Sequence, residues 1–161
     1  YKLYLLLQMF RALNTSLFFS SLKQDGKTPI DLYEKLDKEF HFDFDPCPPD
    51  ADFNGLEIDW KKSNFVNPPF NQQKLWVKKA YEQMLKAQIF EKQYQSILLL
   101  PARTDTKIFH EIILPFAKEI RFIKGRLKFQ QYKNSAPFPT MIVIFTQIPA
   151  QGGWCVSYNA L

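Results

Sequence analysis

The sequence predicts an α/β fold built on a compact, mostly parallel sheet flanked by helices, and three observations predict it. The runs Ser96–Leu100 and Met141–Phe145 are continuously apolar at strand length, as strands buried on both faces are. Between the apolar runs lie segments whose apolar residues recur at helical spacing. The two kinds alternate along the chain, which is the pattern of strand–helix units packed in layers.

Taken in order, Thr28-Pro29-Ile30-Asp31 reads as a helix start. Thr28 is the expected N-cap, proline takes the first helical position, and Asp31 is placed as the reciprocal acid of a capping box. Leu32, Tyr33, Leu36 and Phe40 then repeat at helical spacing. Phe42-Asp43-Phe44-Asp45 alternates like a short strand and stops at Pro46, which has no N–H for a ladder. A loop-rich stretch runs from Pro46 to Lys62, and Asn64–Val66 is strand-like. From Gln72 a helix is expected, with Trp76, Ala80, Met84 and Ala87 on one face and Lys74, Lys78, Glu82 and Lys86 on another. After the Ser96–Leu100 strand, a second helix turns Ile108, Phe109, Ile112, Ile113 and Phe116 inward, with Pro115 near its end. Ile120–Phe129 reads as two strand arms around Gly125.

At 161 residues the chain is expected to form one domain with one core. Its two cysteines, Cys47 and Cys155, have neither metal spacing nor a disulfide framework, so no metal is expected and a reducing, cytoplasmic setting is. No uninterrupted run of about 18 apolar residues calls for a membrane span. Residues 1–13 are apolar but broken by Lys2, Gln8 and Arg11, and read as a leader or extension outside the domain at 14–161. Charge is unevenly placed. Lys118–Lys133 holds six basic residues and one acid, whereas Asp37–Asp59 holds eight acids and one lysine. The basic stretch suits a polyanion, and a solvated strand hairpin explains it as well.

In open sheets of this kind, ligands sit beyond the carboxyl ends of the strands. Three segments are expected there: Asp45-Pro46-Cys47, Asn67-Pro68-Pro69-Phe70 and Pro101-Ala102-Arg103, each an apolar run going straight into proline. Two prolines fix φ and remove donors, so Asn67-Pro68-Pro69 holds carbonyls in set directions with no N–H beside them. The Asn67 side chain adds another acceptor. Convergent acceptors with an aromatic ring alongside suit a flat molecule bearing an amino group, which bonds the oxygens while its ring stacks on Phe70. A proline-rich turn with Asn67 as a cap accounts for the same residues.

The NPPF tetrapeptide after a strand resembles the signature of amino-group methyltransferases that use S-adenosylmethionine. Further blocks match in order: FSS at Phe19–Ser21 with Asp25 and Thr28-Pro29, LYEKLDKEFHFDFDPC from Leu32 to Cys47, Gly55-Leu56 with Asp59-Trp60, LLLPARTDT with FHE from Leu98 to Glu111, RFIKGRLKF from Arg121 to Phe129, and APFPT from Ala136 to Thr140. Together they resemble the phage-type DNA N-6-adenine-methyltransferase (Dam) family over roughly Leu17 to Phe145. The resemblance implies a Rossmann-like methyltransferase fold, S-adenosylmethionine as cofactor and DNA as partner.

Carried onto this chain, the resemblance gives Asn67 and the Pro68 carbonyl the adenine amino group, with Pro69 stiffening the motif and Phe70 stacking on the ring. Thr28 and Pro29 match the first cofactor block, Asp45, Pro46 and Cys47 the block after the first strand, and Asp59 is the expected partner of the adenosine portion. Arg103, Lys124, Arg126 and Lys128 are expected at DNA phosphates. Nothing beside Cys47 in the sequence lowers its thiol pKa, which disfavours cytosine-ring chemistry. The chain departs from the common pattern in lacking a glycine-rich loop, with no glycine between Gly26 and Gly55, and in having Lys27 where an aromatic residue precedes Thr-Pro. RNA adenine, a protein glutamine amide, or a silent nucleic-acid-binding module of the same fold stay open as alternatives.

Overall fold

The computed structural model describes residues 26–130, 133–147 and 154–158. The proposed leader at 1–13, the Phe19–Ser21 block and Asp25 lie outside them. The elements run α1 (Ile30–Phe40), β1 (Ser63–Val66), α2 (Gln73–Ile89), β2 (Gln95–Pro101), a π-helical turn (Phe109–Ile113) continued by α3 (Leu114–Phe116), β3 (Glu119–Ile123), β4 (Thr140–Thr146) and β5 (Trp154–Tyr158). The expected alternation of helix and strand is therefore present. No described helix is long and apolar enough to cross a membrane.

The five strands form one sheet in the order β1-β2-β4-β3-β5. β1 pairs with β2 and β3 with β5 in parallel, while β4 runs antiparallel to both of its neighbours. Four strands thus share one direction and β4 alone opposes them, an arrangement common in otherwise parallel sheets. The expected strand at Phe42–Asp45 is reduced to a single parallel bridge, Phe44 to Asn64, on the outer edge of β1.

Side chains alternate across the sheet, and both faces are apolar. Val66, Leu98, Leu100, Met141, Val143 and Phe145 point to the face covered by α2 and the π-helical turn. Phe65, Ile97, Leu99, Ile142 and Ile144 point to the face covered by Leu32 and Leu36 of α1 together with Leu127 and Phe129. This two-sided burial explains why the strands carry no polar alternation. Asn64 is one of the polar residues that the sheet nonetheless buries, and it is fully buried in β1. Its amide nitrogen donates to the carbonyls of Lys61 and Gln95, and its oxygen accepts from the Lys61 N–H, so the Asn64 amide itself is satisfied.

Three local expectations are corrected. The helix α1 starts at Ile30 with Pro29, not Thr28, as N-cap, and it has no side-chain capping bond. The Thr28 hydroxyl is engaged elsewhere, by Asn67. The second arm of the Gly125 hairpin does not form, because β3 already has β4 on one edge and β5 on the other. Past Gly125, whose φ of 83° suits glycine, the chain leaves the sheet. Phe116 is exposed rather than inward, its ring resting on Tyr81 at 4.7 Å.

Arg121, in the middle of the basic stretch, is also not a surface grip. It is buried within β3, with Nη1 on Glu39 Oε2 at 2.7 Å and Nε on Glu119 Oε1 at 2.8 Å. These charge-assisted bonds tie the last turn of α1 to the sheet. They remove Arg121 from any contact with a polyanion.

Candidate active site

β1, β2 and β3 run in one direction, so their carboxyl ends share one rim, and the residues following them meet there. A cleft of about 310 Å³ opens at the end of β1. Its walls come from the Gly26–Thr28 segment and the start of α1 (Ile30, Tyr33), the Asp45–Asp50 loop, Phe65 and Asn67 of the β1 end, and Gln130. The structure therefore brings together Thr28, Asp45, Cys47 and Asn67, with Pro29, Pro46 and Pro68 adjacent in the chain.

Asn67 is the best-defined group in the cleft. Its Nδ2 donates to the Gly26 carbonyl at 2.9 Å and to Thr28 Oγ1 at 3.1 Å. A carbonyl oxygen can only accept, so the Gly26 contact fixes which end of the amide is nitrogen. The Oδ1 of Asn67 has no donor among the described residues, and neither has the Pro68 carbonyl. The Pro69 carbonyl is already taken by the Gln72 N–H at 2.9 Å. The two prolines contribute no donors. What remains on the cleft wall is the Asn67 side chain, its oxygen without a donor among the described residues, while Pro68 is itself buried behind it and does not line the cleft.

Phe70 behaves differently from the expectation. It is half-buried and does not line the cleft; its ring meets Phe138 at 4.7 Å and 81° and Phe129 at 5.7 Å and 65°, both edge-to-face. These are favourable aromatic geometries that seat the loop before β4 against the NPPF turn.

Asp45 lies on the cleft wall with Oδ1 accepting the Cys47 N–H at 2.8 Å. Burial pushes its carboxyl up to about 6, partly opposed by that hydrogen bond. Burial, with Asp37 and Asp45 nearby, also raises the Tyr33 hydroxyl. For Asp45 the fold prefers the protonated form, so its contribution to stability is greatest below about pH 4 and is lost as pH rises through about 6. Asp45→Asn keeps an acceptor for Cys47 and removes the buried charge. It is expected to stabilise the protein by about 1–3 kcal/mol at pH 7 and by little at pH 4. Thermal unfolding at the two pH values checks this; equal melting temperatures of variant and parent at pH 7 would contradict it.

Asp59 is not brought to this cleft. It precedes β1 and sits at the opposite, amino-terminal end of the strands, beside a second depression of about 270 Å³ with Trp60, Lys62 and Tyr94. Its carboxylate binds Lys86 Nζ at 2.5 Å and Gln83 Nε2 at 3.2 Å, bonds that hold its pKa below the usual range. The Gln83 amide also accepts the Trp60 N–H, which gives Asp59 a structural part in fixing the turn into β1.

The basic candidates fare unevenly. Arg103 follows β2, and Lys124, Arg126 and Lys128 follow β3; all four are exposed at the cleft's end of the sheet. None is in a salt bridge among the described residues. Lys118 lies at the far end, before β3. Two positions near the cleft were not among the expected site residues, although Gly55 falls in one of the matching blocks. Gln130 reaches the cleft wall from beyond β3, and Gly55 packs its Cα against the Pro46 carbonyl, where an added Cβ would lie 1.8 Å from the oxygen.

A family model described as DNA N-6-adenine-methyltransferase (Dam) matches residues 16–158. No curated protein matches the chain. Among solved structures, one similar chain is described as a predicted O-methyltransferase from Agrobacterium tumefaciens, with 16% identity, 66% of this chain and 45% of that one covered, and a TM-score of 0.37. Another is a modification subunit of a proposed type I restriction enzyme from Vibrio vulnificus, with 14% identity, 66% and 28% covered, and a TM-score of 0.34. The chain spans less than half the length of either.

Proposed function

Since the chain belongs to the DNA N-6-adenine-methyltransferase (Dam) family, we propose that it transfers a methyl group from S-adenosylmethionine to the exocyclic amino nitrogen of adenine in DNA. The observation that carries this reading is the fixed Asn67 amide. Its nitrogen is committed to Gly26 and Thr28, and its oxygen has no donor among the described residues on the wall of the cleft.

The cleft fits the cofactor in size and chemistry. A volume of about 310 Å³ falls within the range of small-molecule sites. Asp45 offers a carboxylate to a cationic ligand, while Tyr33 and Phe65 offer apolar surface. Thr28, Asp45 and Cys47 would hold it, with Pro29 and Pro46 shaping their backbone. When bound, it supplies an electrophilic methyl group on a sulfonium.

The chain's own residues do the rest by positioning. Asn67 Oδ1 and the Pro68 carbonyl accept the two amino hydrogens of the base and orient the nitrogen lone pair. As the nitrogen gains its methyl group it sheds one of those hydrogens as a proton, passing to solvent. An adenine inside a duplex cannot reach this strand end and must be flipped out, at a cost of a few kcal/mol. Arg103, Lys124, Arg126 and Lys128 supply phosphate contacts beside the cleft, and such contacts make binding fall as salt rises. Cys47 needs no role as a nucleophile, because an amine attacks directly.

Calorimetric titration with S-adenosylmethionine, followed by incubation with labelled cofactor and unmethylated DNA, RNA and protein, tests the proposal. Binding with label in DNA is expected. Absence of binding indicates a silent nucleic-acid-binding module, and label confined to RNA or protein reassigns the acceptor.

A further inference from the structure

We infer that Gln130 is a positioning residue, which holds the Asn67 amide in place by clamping the backbone that anchors it. The inference rests on the role proposed for Asn67. Gln130 donates twice to the segment before α1, its N–H to the Lys27 carbonyl at 3.1 Å and its Nε2 to the Thr28 carbonyl at 2.8 Å. Asn67 donates to the same segment from the other side, at the Gly26 carbonyl and Thr28 Oγ1. Gly26–Pro29 has no regular secondary structure, and Pro29 cannot donate. Gln130 and Asn67 thus both bond this segment through their side chains. Released on the Gln130 side, Thr28 can shift and the Asn67 carbonyl turns with it.

The placement of Gln130 gives the clamp a further consequence. It follows Lys124, Arg126 and Lys128 on the strap that leaves the sheet after Gly125, and this strap is fastened by the Ala136 N–H on the Leu127 carbonyl at 2.7 Å. The residues facing DNA and the clamp on the site are therefore one piece of chain. Gln130 itself is exposed, so removing its amide costs little packing.

The test uses Gln130→Met, which keeps length and loses the side-chain donor, alone and combined with Thr28→Val. Gln130→Met is expected to lower kcat about tenfold with KM for DNA unchanged, since small misplacements of a reacting group have effects of this size. In the Thr28→Val background the same change is expected to cost less than about twofold, because the Thr28 hydroxyl no longer carries a shift of Thr28 to Asn67, whose remaining bond is to Gly26. Full kcat in Gln130→Met, a rise in KM alone, or a tenfold loss in both backgrounds overturns the inference. A second readout needs no activity: the side-chain amide signals of Asn67, followed by NMR in the free protein, should shift and exchange faster in Gln130→Met. Unchanged signals overturn the clamp. If the parent methylates no adenine, the reaction reading fails, and the amide signals still decide whether Gln130 holds Asn67.

Discussion

Asn67→Ala is expected to lower methyl transfer by about 100- to 1,000-fold, the scale on which one pre-placed hydrogen-bonding group acts in a reaction. The variant removes an acceptor whose direction is set before substrate arrives: the amide nitrogen is held by Gly26 and Thr28, so orienting the oxygen costs nothing when the base enters. The Pro68 carbonyl remains, but one acceptor leaves the amino group free to rotate. The fold should survive. Asn67 is only half-buried, and the two groups it leaves line an open cleft where water replaces the lost donor. S-Adenosylmethionine affinity should therefore change by less than about threefold, which separates this loss from simple unfolding. Single-turnover rates and calorimetry on the same preparation check both halves.

Gly55→Ala is expected to destabilise the protein by about 2–4 kcal/mol, at or beyond the usual range for overpacking. The new Cβ would lie 1.8 Å from the Pro46 carbonyl oxygen, 2.8 Å from its carbon and 3.0 Å from Trp76 Cη2. Two of these neighbours are backbone and cannot rotate away. Gly55 is not free to retreat, because its carbonyl accepts the Trp60 indole N–H at 2.7 Å, and Trp60 stacks on Trp76. The strain falls on Pro46, between Asp45 and Cys47, so cofactor affinity should drop along with stability. Denaturant midpoints and ligand titration measure the two effects. A variant within about 0.5 kcal/mol of the parent would show that the Pro46 loop yields freely.

The local periods of the sequence carried most of the architecture. Continuous apolar strands announced a sheet covered on both faces, and the helical stripe at Trp76, Ala80 and Met84 lies in the core it was expected to line. The strand-to-proline junctions marked the rim on which the cleft opens, because proline marks where a ladder must stop. Contacts across long separations were illegible. Asn67 meets Thr28 across 39 residues and Gln130 meets Thr28 across 102, and no spacing rule connects them. Thr28 fits the pattern of a cap, and only the folded chain shows its hydroxyl turned to Asn67. Arg121 read as part of a basic surface because charge counts ignore burial; Glu39 and Glu119 neutralise it inside. Asp59 read as a cofactor ligand by its place in a motif, yet strand direction puts it at the other end of the sheet.

The most direct measurement is the identity of the methylated nucleoside. DNA incubated with a donor carrying a deuterated methyl group is digested to nucleosides and analysed by mass spectrometry. The parent protein should place the label on the N6 of deoxyadenosine, and Asn67→Ala should leave it almost absent. Label on a cytosine carbon, or equal labelling by the two proteins, would contradict the claim that the Asn67 oxygen presents the amine for attack.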